Sequence, residues 1–213
     1  GSSFNIAYIG GGSLNWATLA ADAENLLGLI AMDAEQFADA EAHLNAALAA
    51  RAAGDHAGRA HAIYNLARLA SLAGDQERAA RLYEESLEPR RAAGDLRGEA
   101  KTLLSLGAVA YLREDLAAAR EHYEVALGLL RVLGDKQGIA TLLYNLGELA
   151  EKDGDAVRAA QLYHHAEAQF RALQSPFADL ATSELERLRA ALGEDAWGAA
   201  RQAASECTWE DLC

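Results

Sequence analysis

Residues 94–135 read GDLRGEAKTLLSLGAVAYLREDLAAAREHYEVALGLLRVLGD. Gly94-Asp95 and Gly134-Asp135 bound this stretch, and Glu114-Asp115 lies midway between them. Glycine tolerates the left-handed conformation that ends many helices, and aspartate caps the free N–H groups that begin the next helix. The stretch is therefore predicted to form two helices joined by a tight turn, each about 15–17 residues and about 25 Å long.

The same Gly-Asp punctuation recurs along the chain on a 20-residue grid. Two helices make one hairpin, so the structural repeat is 40 residues long. Hairpins that contact mainly their neighbours stack into a solenoid. The further copies of the punctuation are Gly54-Asp55, Gly74-Asp75 and Gly154-Asp155.

Small and large residues also recur at fixed places in each repeat. The first helices share Leu-Gly/Ala-x-x-Ala, and the second helices share Ala-x-x-x-Tyr/Leu-x-x-Ala/Ser, with the earliest copy shifted by one residue. Small residues of this kind occur where two helices cross closely, with a large side chain filling the adjacent space. We therefore predict four repeats, with the second-helix tyrosines in the core. The small residues are Gly28, Ala67, Gly107 and Gly147, and the large ones are Leu44, Tyr83, Tyr123 and Tyr163.

This signature resembles the tetratricopeptide repeat, in the longer form found in kinesin light chains, mitotic-spindle adaptors and bacterial signalling ATPases and transcriptional activators. The resemblance implies an all-α, right-handed α-solenoid of antiparallel hairpins. We expect a leader at residues 1–13, four hairpins at residues 14–174, and capping helices with an incomplete C-terminal segment at residues 175–213. The stretch Leu192–Trp197 is similar to the tail of such regions in bacterial STAND and LuxR-type regulators, which implies a sensor or docking module.

The composition of the chain argues against several classes of binding partner. The chain of 213 residues has 19 Lys and Arg against 32 Asp and Glu, a net charge of −13. This balance argues against nucleic acid and anionic membrane surfaces as partners. No apolar run is long enough for a membrane span, and two cysteines cannot supply a disulfide framework. A cytoplasmic protein is expected.

The sequence lacks the common nucleotide-binding, hydrolase and zinc-binding motifs. No Walker loop, Gly-x-Ser-x-Gly motif or zinc-ligand spacing occurs, so we expect no catalytic residue, no metal and no cofactor. Glu148 and Glu151 are interpreted as part of a solvated helix face.

The resemblance also implies where a partner binds, because the first helix of each pair lines the concave face in tetratricopeptide solenoids. That face usually holds an extended peptide or a partner helix. Carried over position by position, the expected binding residues are Asn25, Tyr64, Asn65, Arg68, Lys101, Leu104, Ser105, Tyr111, Tyr144, Asn145 and Glu148.

Asparagine recurs within this set. Asn25, Asn65 and Asn145 are placed on one 40-residue register, with Ser105 filling the gap. Because an asparagine amide both donates and accepts, a ladder of such residues suits the backbone of an extended peptide. The alternative is that these side chains cap or bridge neighbouring helices, or face water.

Residues 1–13 do not share the helical pattern. Phe4, Ile6 and Tyr8 alternate with smaller residues as in a strand, and Gly10–Ser13 has linker composition. The segment is either an inert leader or a tethered peptide, in which residues 3–9 occupy the groove of the same or a neighbouring chain. The segment also resembles the opening of NAD-dependent family 4 glycosidases. A dinucleotide-binding fold needs a second strand after this opening, whereas only helices are predicted here.

Overall fold

The computed structural model describes residues 15–206 and residue 208, so the interpretations of the leader at 1–13 lie outside the described residues. Within residues 15–206 the chain is entirely helices and short turns. The helices are α1 Trp16–Asp33, α2 Phe37–Ala50, α3 His56–Leu72, α4 Gln76–Ala93, α5 Leu96–Leu112, α6 Leu116–Leu133, α7 Lys136–Lys152, α8 Ala156–Ala172, α9 Phe177–Leu192 and α10 Glu194–Glu206.

Successive helices pair into hairpins. α1 packs with α2, α3 with α4, α5 with α6, and α7 with α8, while α2, α4 and α6 each pack against the helix that opens the next hairpin. Helix α9 packs on α8 as the opening helix of a fifth repeat would, and α10 covers both. This arrangement confirms the predicted all-α solenoid.

The Gly-Asp punctuation works as expected at most hairpin ends. Gly74, Gly94, Gly134 and Gly154 have φ between 60° and 85°. The aspartate that follows each of them accepts a hydrogen bond from the backbone N–H three residues later, at 2.8–3.0 Å. Glu114 fills the empty place in the grid and takes the left-handed conformation itself, at φ 62°.

Gly54 is the exception. The grid predicts a helix ending at this glycine, but α2 ends at Ala50 and Arg51 is extended, with φ −77° and ψ 131°. The extended backbone lets the Arg51 guanidinium bond both Asp22 of α1 and Asp55, which caps α3. This cross-helix ion pair takes the place of the glycine turn.

The small and large residues meet as predicted. A Cβ on Gly107 would lie 2.2 Å from the ring of Tyr123, and one on Gly147 would lie 2.6 Å from the ring of Tyr163. Both rings are buried, as is Tyr83. Because Gly107 on α5 and Gly147 on α7 have no side chain, a tyrosine of the paired helix fills the space. The prediction that these tyrosines are core is confirmed.

Candidate functional site

The first helices of the second, third and fourth repeats line an open cavity of about 540 Å³, the central cavity. Its walls include positions one turn apart on α5 and α7, which face the same side because a helix turns once in 3.6 residues. The residues that line it are Tyr64, Arg97, Lys101, Leu104, Ser105, Ala108, Leu130, Asp135, Gln137, Gly138, Thr141 and Asn145. Five of the expected binding residues are among them, from three different helices.

Cations surround one side of the central cavity. Within residues 15–206, Arg68, Arg97 and Lys101 form no ion pair, whereas most other arginines do. The Lys101 ammonium lies 5.0 Å from the centre of the Tyr64 ring. Burial, followed by the charges of Arg68 and Arg90, lowers the pKa of Lys101. An anionic group would relieve this repulsion.

A second cavity of about 420 Å³, the acidic cavity, lies farther along α7 and reaches α9. Arg187 donates to both carboxylate oxygens of Glu151 at 2.6 Å and lies 2.8 Å from Glu184. Burial, followed by the charges of Glu184 and Glu151, raises the pKa of Glu148. The interpretation of Glu148 and Glu151 as a solvated face was wrong, because α9 folds over them.

Tyrosines form the apolar part of the acidic cavity and its surroundings. The ring of Tyr144 lies 5.2 Å from the ring of Tyr163, whose hydroxyl donates to Glu151 at 2.9 Å. Burial, followed by the charge of Glu148, raises the pKa of Tyr144 to about 12. Tyr111 faces Lys152, with 5.6 Å between the ammonium and the ring centre. Rings beside carboxylates suit a cationic side chain.

The expected asparagine ladder is not continuous. Asn65 is 2% exposed, and its amide donates to Asn25 at 2.9 Å. Gly28 faces Leu44 as Gly107 faces Tyr123, and this match places Leu26, not Asn25, at the position equivalent to Asn65. The repeat register is 39 residues at this junction because the first hairpin is one residue shorter. The placement of Asn25 on the ladder was therefore wrong.

Some lining residues were missed by sequence reasoning. Arg97 and Asp135 lie in the first turn of α5 and at the start of α7, where they read as ordinary helix-start residues. Glu184 and Arg187 come from α9, which has no copy elsewhere in the chain, so no repeat register could place them. A usable signal existed for Glu151, which lies one turn from Glu148.

Two features are absent within the described part of the chain. No group of three or more His, Cys, Asp or Glu side chains is arranged to hold a metal ion. None of the helices there is both long enough and apolar enough to cross a bilayer.

The fold and cavities define an α-solenoid whose first helices line an open groove. Residues 19–92 match the family model described as tetratricopeptide repeat. The same hairpin continues twice more in the structure, to Ala172. Residues 19–92 therefore consist of tetratricopeptide repeats, and the hairpins that follow share their fold.

Solved structures share this fold. BtubC (BKLC) from P. vanneervenii is 20% identical, with a TM-score of 0.73 over 89% of this chain and 80% of that one. RapI in its apo form is 14% identical, with a TM-score of 0.73 over 88% of this chain and 68% of that one. A putative kinesin light chain from Podospora anserina is 16% identical, with a TM-score of 0.65 over 91% and 93%. No curated protein sequence matches the chain.

Proposed function

We propose that this chain is a non-catalytic scaffold that binds an extended peptide or partner segment in the groove formed by the central and acidic cavities. One observation carries the proposal: inner-face residues from three successive repeats line a single open cavity. The tetratricopeptide match supports it, because such repeats are typical protein-interaction modules. The resemblance of residues 192–197 to bacterial regulators favours a docking or sensor role in a cytoplasmic signalling protein.

The groove has an apolar floor and polar, ionic walls. Leu104, Ala108 and Leu130 provide apolar surface in the central cavity, while Ser105, Thr141 and Asn145 provide donors and acceptors. Binding sites commonly combine such an apolar surface with a few convergent polar groups. An extended peptide fits this combination because its side chains contact the apolar floor and its backbone needs hydrogen-bonding partners.

Selection from a phage-displayed random peptide library tests the proposal. Peptides that bind the full chain are measured by calorimetry against Ala108→Arg, which fills the central cavity. The matched control is Val132→Arg, which adds the same side chain at a position that is 77% exposed. Saturable binding that Ala108→Arg abolishes and Val132→Arg preserves supports the groove. Equal binding by both variants contradicts it.

The leader gives a more specific occupant. We propose residues 3–9 as a groove ligand, in the same or a neighbouring chain. A chain lacking residues 1–13 is titrated with the peptide Ser-Ser-Phe-Asn-Ile-Ala-Tyr-Ile-Gly, first as wild type and then with Ala108→Arg. Saturable binding that is lost in the variant supports the leader as ligand, whereas no binding to either leaves the leader without this role.

Self-association is a second candidate function. Helix α1 exposes apolar side chains at helical spacing, and Trp16 and Ile30 are 60% and 56% exposed. Leu69, Val109 and Leu149, which are equivalent to Ile30 in the later repeats, are at most 4% exposed because the preceding hairpin covers them. A second chain could cover α1 in the same way. Sedimentation equilibrium of the wild type and of Ile30→Lys tests this, since a monomer at every concentration excludes it.

A further inference from the structure

The groove-facing positions of neighbouring repeats bond to each other. Asn65 of α3 donates to Asn25 of α1 at 2.9 Å, and the hydroxyls of Ser105 of α5 and Tyr64 of α3 are 3.2 Å apart. The ladder position is the one that Asn65, Ser105 and Asn145 hold in their repeats. In each pair, the residue just before the ladder position of one repeat bonds to the residue at the ladder position of the next repeat. These two ladder side chains are therefore already engaged within the protein.

The contact between the third and fourth repeats differs from these two. Leu104 holds the place that Asn25 and Tyr64 hold in the earlier repeats, and the ladder residue opposite it is Asn145. A leucine side chain neither donates nor accepts a hydrogen bond, so the pairing of the first two junctions cannot form here. Both Leu104 and Asn145 line the central cavity.

Asn145 consequently keeps hydrogen-bonding capacity toward the groove. Its partner within the described residues is the buried Tyr123 hydroxyl, and this contact lowers the pKa of that phenol against the larger, opposite effect of burial. An asparagine amide has two donors and an acceptor with two lone pairs. One contact therefore leaves both a donor and an acceptor for a ligand.

We propose that Leu104 determines where the groove binds, because it leaves Asn145 as the ladder residue free to pair with the main chain of an extended peptide. This inference rests on the proposed function and deepens it. The ligand backbone bonds Asn145, and an apolar ligand side chain packs on Leu104 and Ala108.

The charges on either side of Asn145 define the peptide. Toward the start of α7, the central cavity presents Arg97 and Lys101 against the single carboxylate of Asp135. Toward the end of α7, the acidic cavity presents three carboxylates against two cations, which are Glu148, Glu151 and Glu184 against Lys152 and Arg187. Thr141 and Glu148 lie on α7 in the central and acidic cavities, about 10 Å apart along the helix. An extended chain covers that distance in about three residues. The partner segment therefore carries one acidic and one basic residue about three positions apart.

Fluorescence polarisation with labelled peptides tests the inference. The probes are Gly-Asp-Ile-Ala-Lys-Gly and its reverse, since the groove admits either chain direction, and the neutral peptide Gly-Asn-Ile-Ala-Gln-Gly is the control. Binding of at least one charged probe about tenfold tighter than the neutral peptide is expected, because pairing with charged groups strengthens hydrogen bonds. Equal affinity for all three probes overturns the charge assignment.

Variants of the full chain test the role of Leu104. Leu104→Asn recreates the Asn25–Asn65 pair and Leu104→Tyr recreates the Tyr64–Ser105 pair, so both engage Asn145 and weaken binding about tenfold, as does Asn145→Ala. Leu104→Met keeps the side chain apolar and preserves binding. Val132→Asn, at a position that is 77% exposed and outside the groove, preserves binding and is the matched control for Leu104→Asn.

The outcomes separate this inference from the proposed function. If wild type binds neither the charged probes nor any library-selected peptide, the proposed function fails. If wild type binds a selected peptide and the Leu104→Asn, Leu104→Tyr and Asn145→Ala variants bind it equally well, only the inference fails. Far-UV circular dichroism confirms that each variant is folded before its affinity is compared.

Discussion

Replacement of Gly107 by alanine should show how strongly the stability of the chain depends on the close approach between α5 and α6. A Cβ at this position would lie 2.2, 2.5 and 2.8 Å from three atoms of the Tyr123 ring, far inside ordinary contact distance. The ring is 2% exposed and cannot swing into solvent. Either the ring or the helix backbone must shift, which typically costs about 1–3 kcal/mol in a packed core.

Alanine also gains helix propensity over glycine, by about 1 kcal/mol, so the net effect of Gly107→Ala alone is small and ambiguous. Gly128→Ala provides the matched control. Gly128 lies inside α6, the helix that carries Tyr123, and a Cβ there meets no atom within 4 Å. The propensity gain is common to both variants and cancels in their difference. Gly107→Ala should therefore be less stable than Gly128→Ala by about 1–3 kcal/mol.

Urea unfolding followed by far-UV circular dichroism measures this difference. Because repeat proteins can unfold in stages, hydrogen exchange of α5 and α6 amides provides a local measurement alongside the global one. Equal stabilisation by the two alanines would refute the argument, since it would mean that the hairpin accepts a methyl group at Gly107 without cost. Ala67 and Tyr83 lie in one buried cluster in the second repeat, which shows that a hairpin with alanine at this position is possible.

Two further predictions follow from the turns and the acidic cavity. Glu114→Gly should stabilise the chain by about 1 kcal/mol, because it replaces a non-glycine residue in the left-handed conformation. Gly94→Ala should destabilise the chain by about as much, because it introduces such a residue. Urea unfolding measures both variants, and a change of stability with the same sign in both would contradict the prediction. Glu148→Gln should stabilise the protein at neutral pH, since the raised pKa of Glu148 means that the folded state favours the protonated carboxyl. As pH rises from the unfolded pKa through the folded one, wild type loses stability relative to the glutamine variant, and below about pH 4 the two should converge; a pH-independent difference would show that the effect is not electrostatic.

Most of the fold could be predicted from local pattern. Glycine with positive φ and aspartate at a helix start act within one turn of chain, so the Gly-Asp grid located the hairpins without any tertiary information. The small and large positions were also readable, because each repeat presents the same contact. The failures occurred at Gly54, where α2 ends early and Arg51 bonds Asp22 and Asp55, and at Asn25, because the first hairpin is one residue shorter than the others.

The candidate site was only partly predictable. Resemblance to the family selected the inner-face positions, and Tyr64, Lys101, Leu104, Ser105 and Asn145 do line one cavity. Whether each side chain is free or already bonded depends on its neighbour one repeat away, and that neighbour differs at each junction.

The sequence by itself determined the repeat, most of the helix ends and the buried tyrosines, because these depend on residues within one hairpin. The tertiary structure decided which polar groups remain available to a ligand. Asn65 is 2% exposed and donates to Asn25, whereas Asn145 lines the central cavity together with Leu104. Helix α9, which has no repeat register, brings Glu184 and Arg187 to Glu151. The Asn25–Asn65 and Glu151–Arg187 contacts join residues 40 and 36 positions apart, so they depend on how the helices stack rather than on any local pattern.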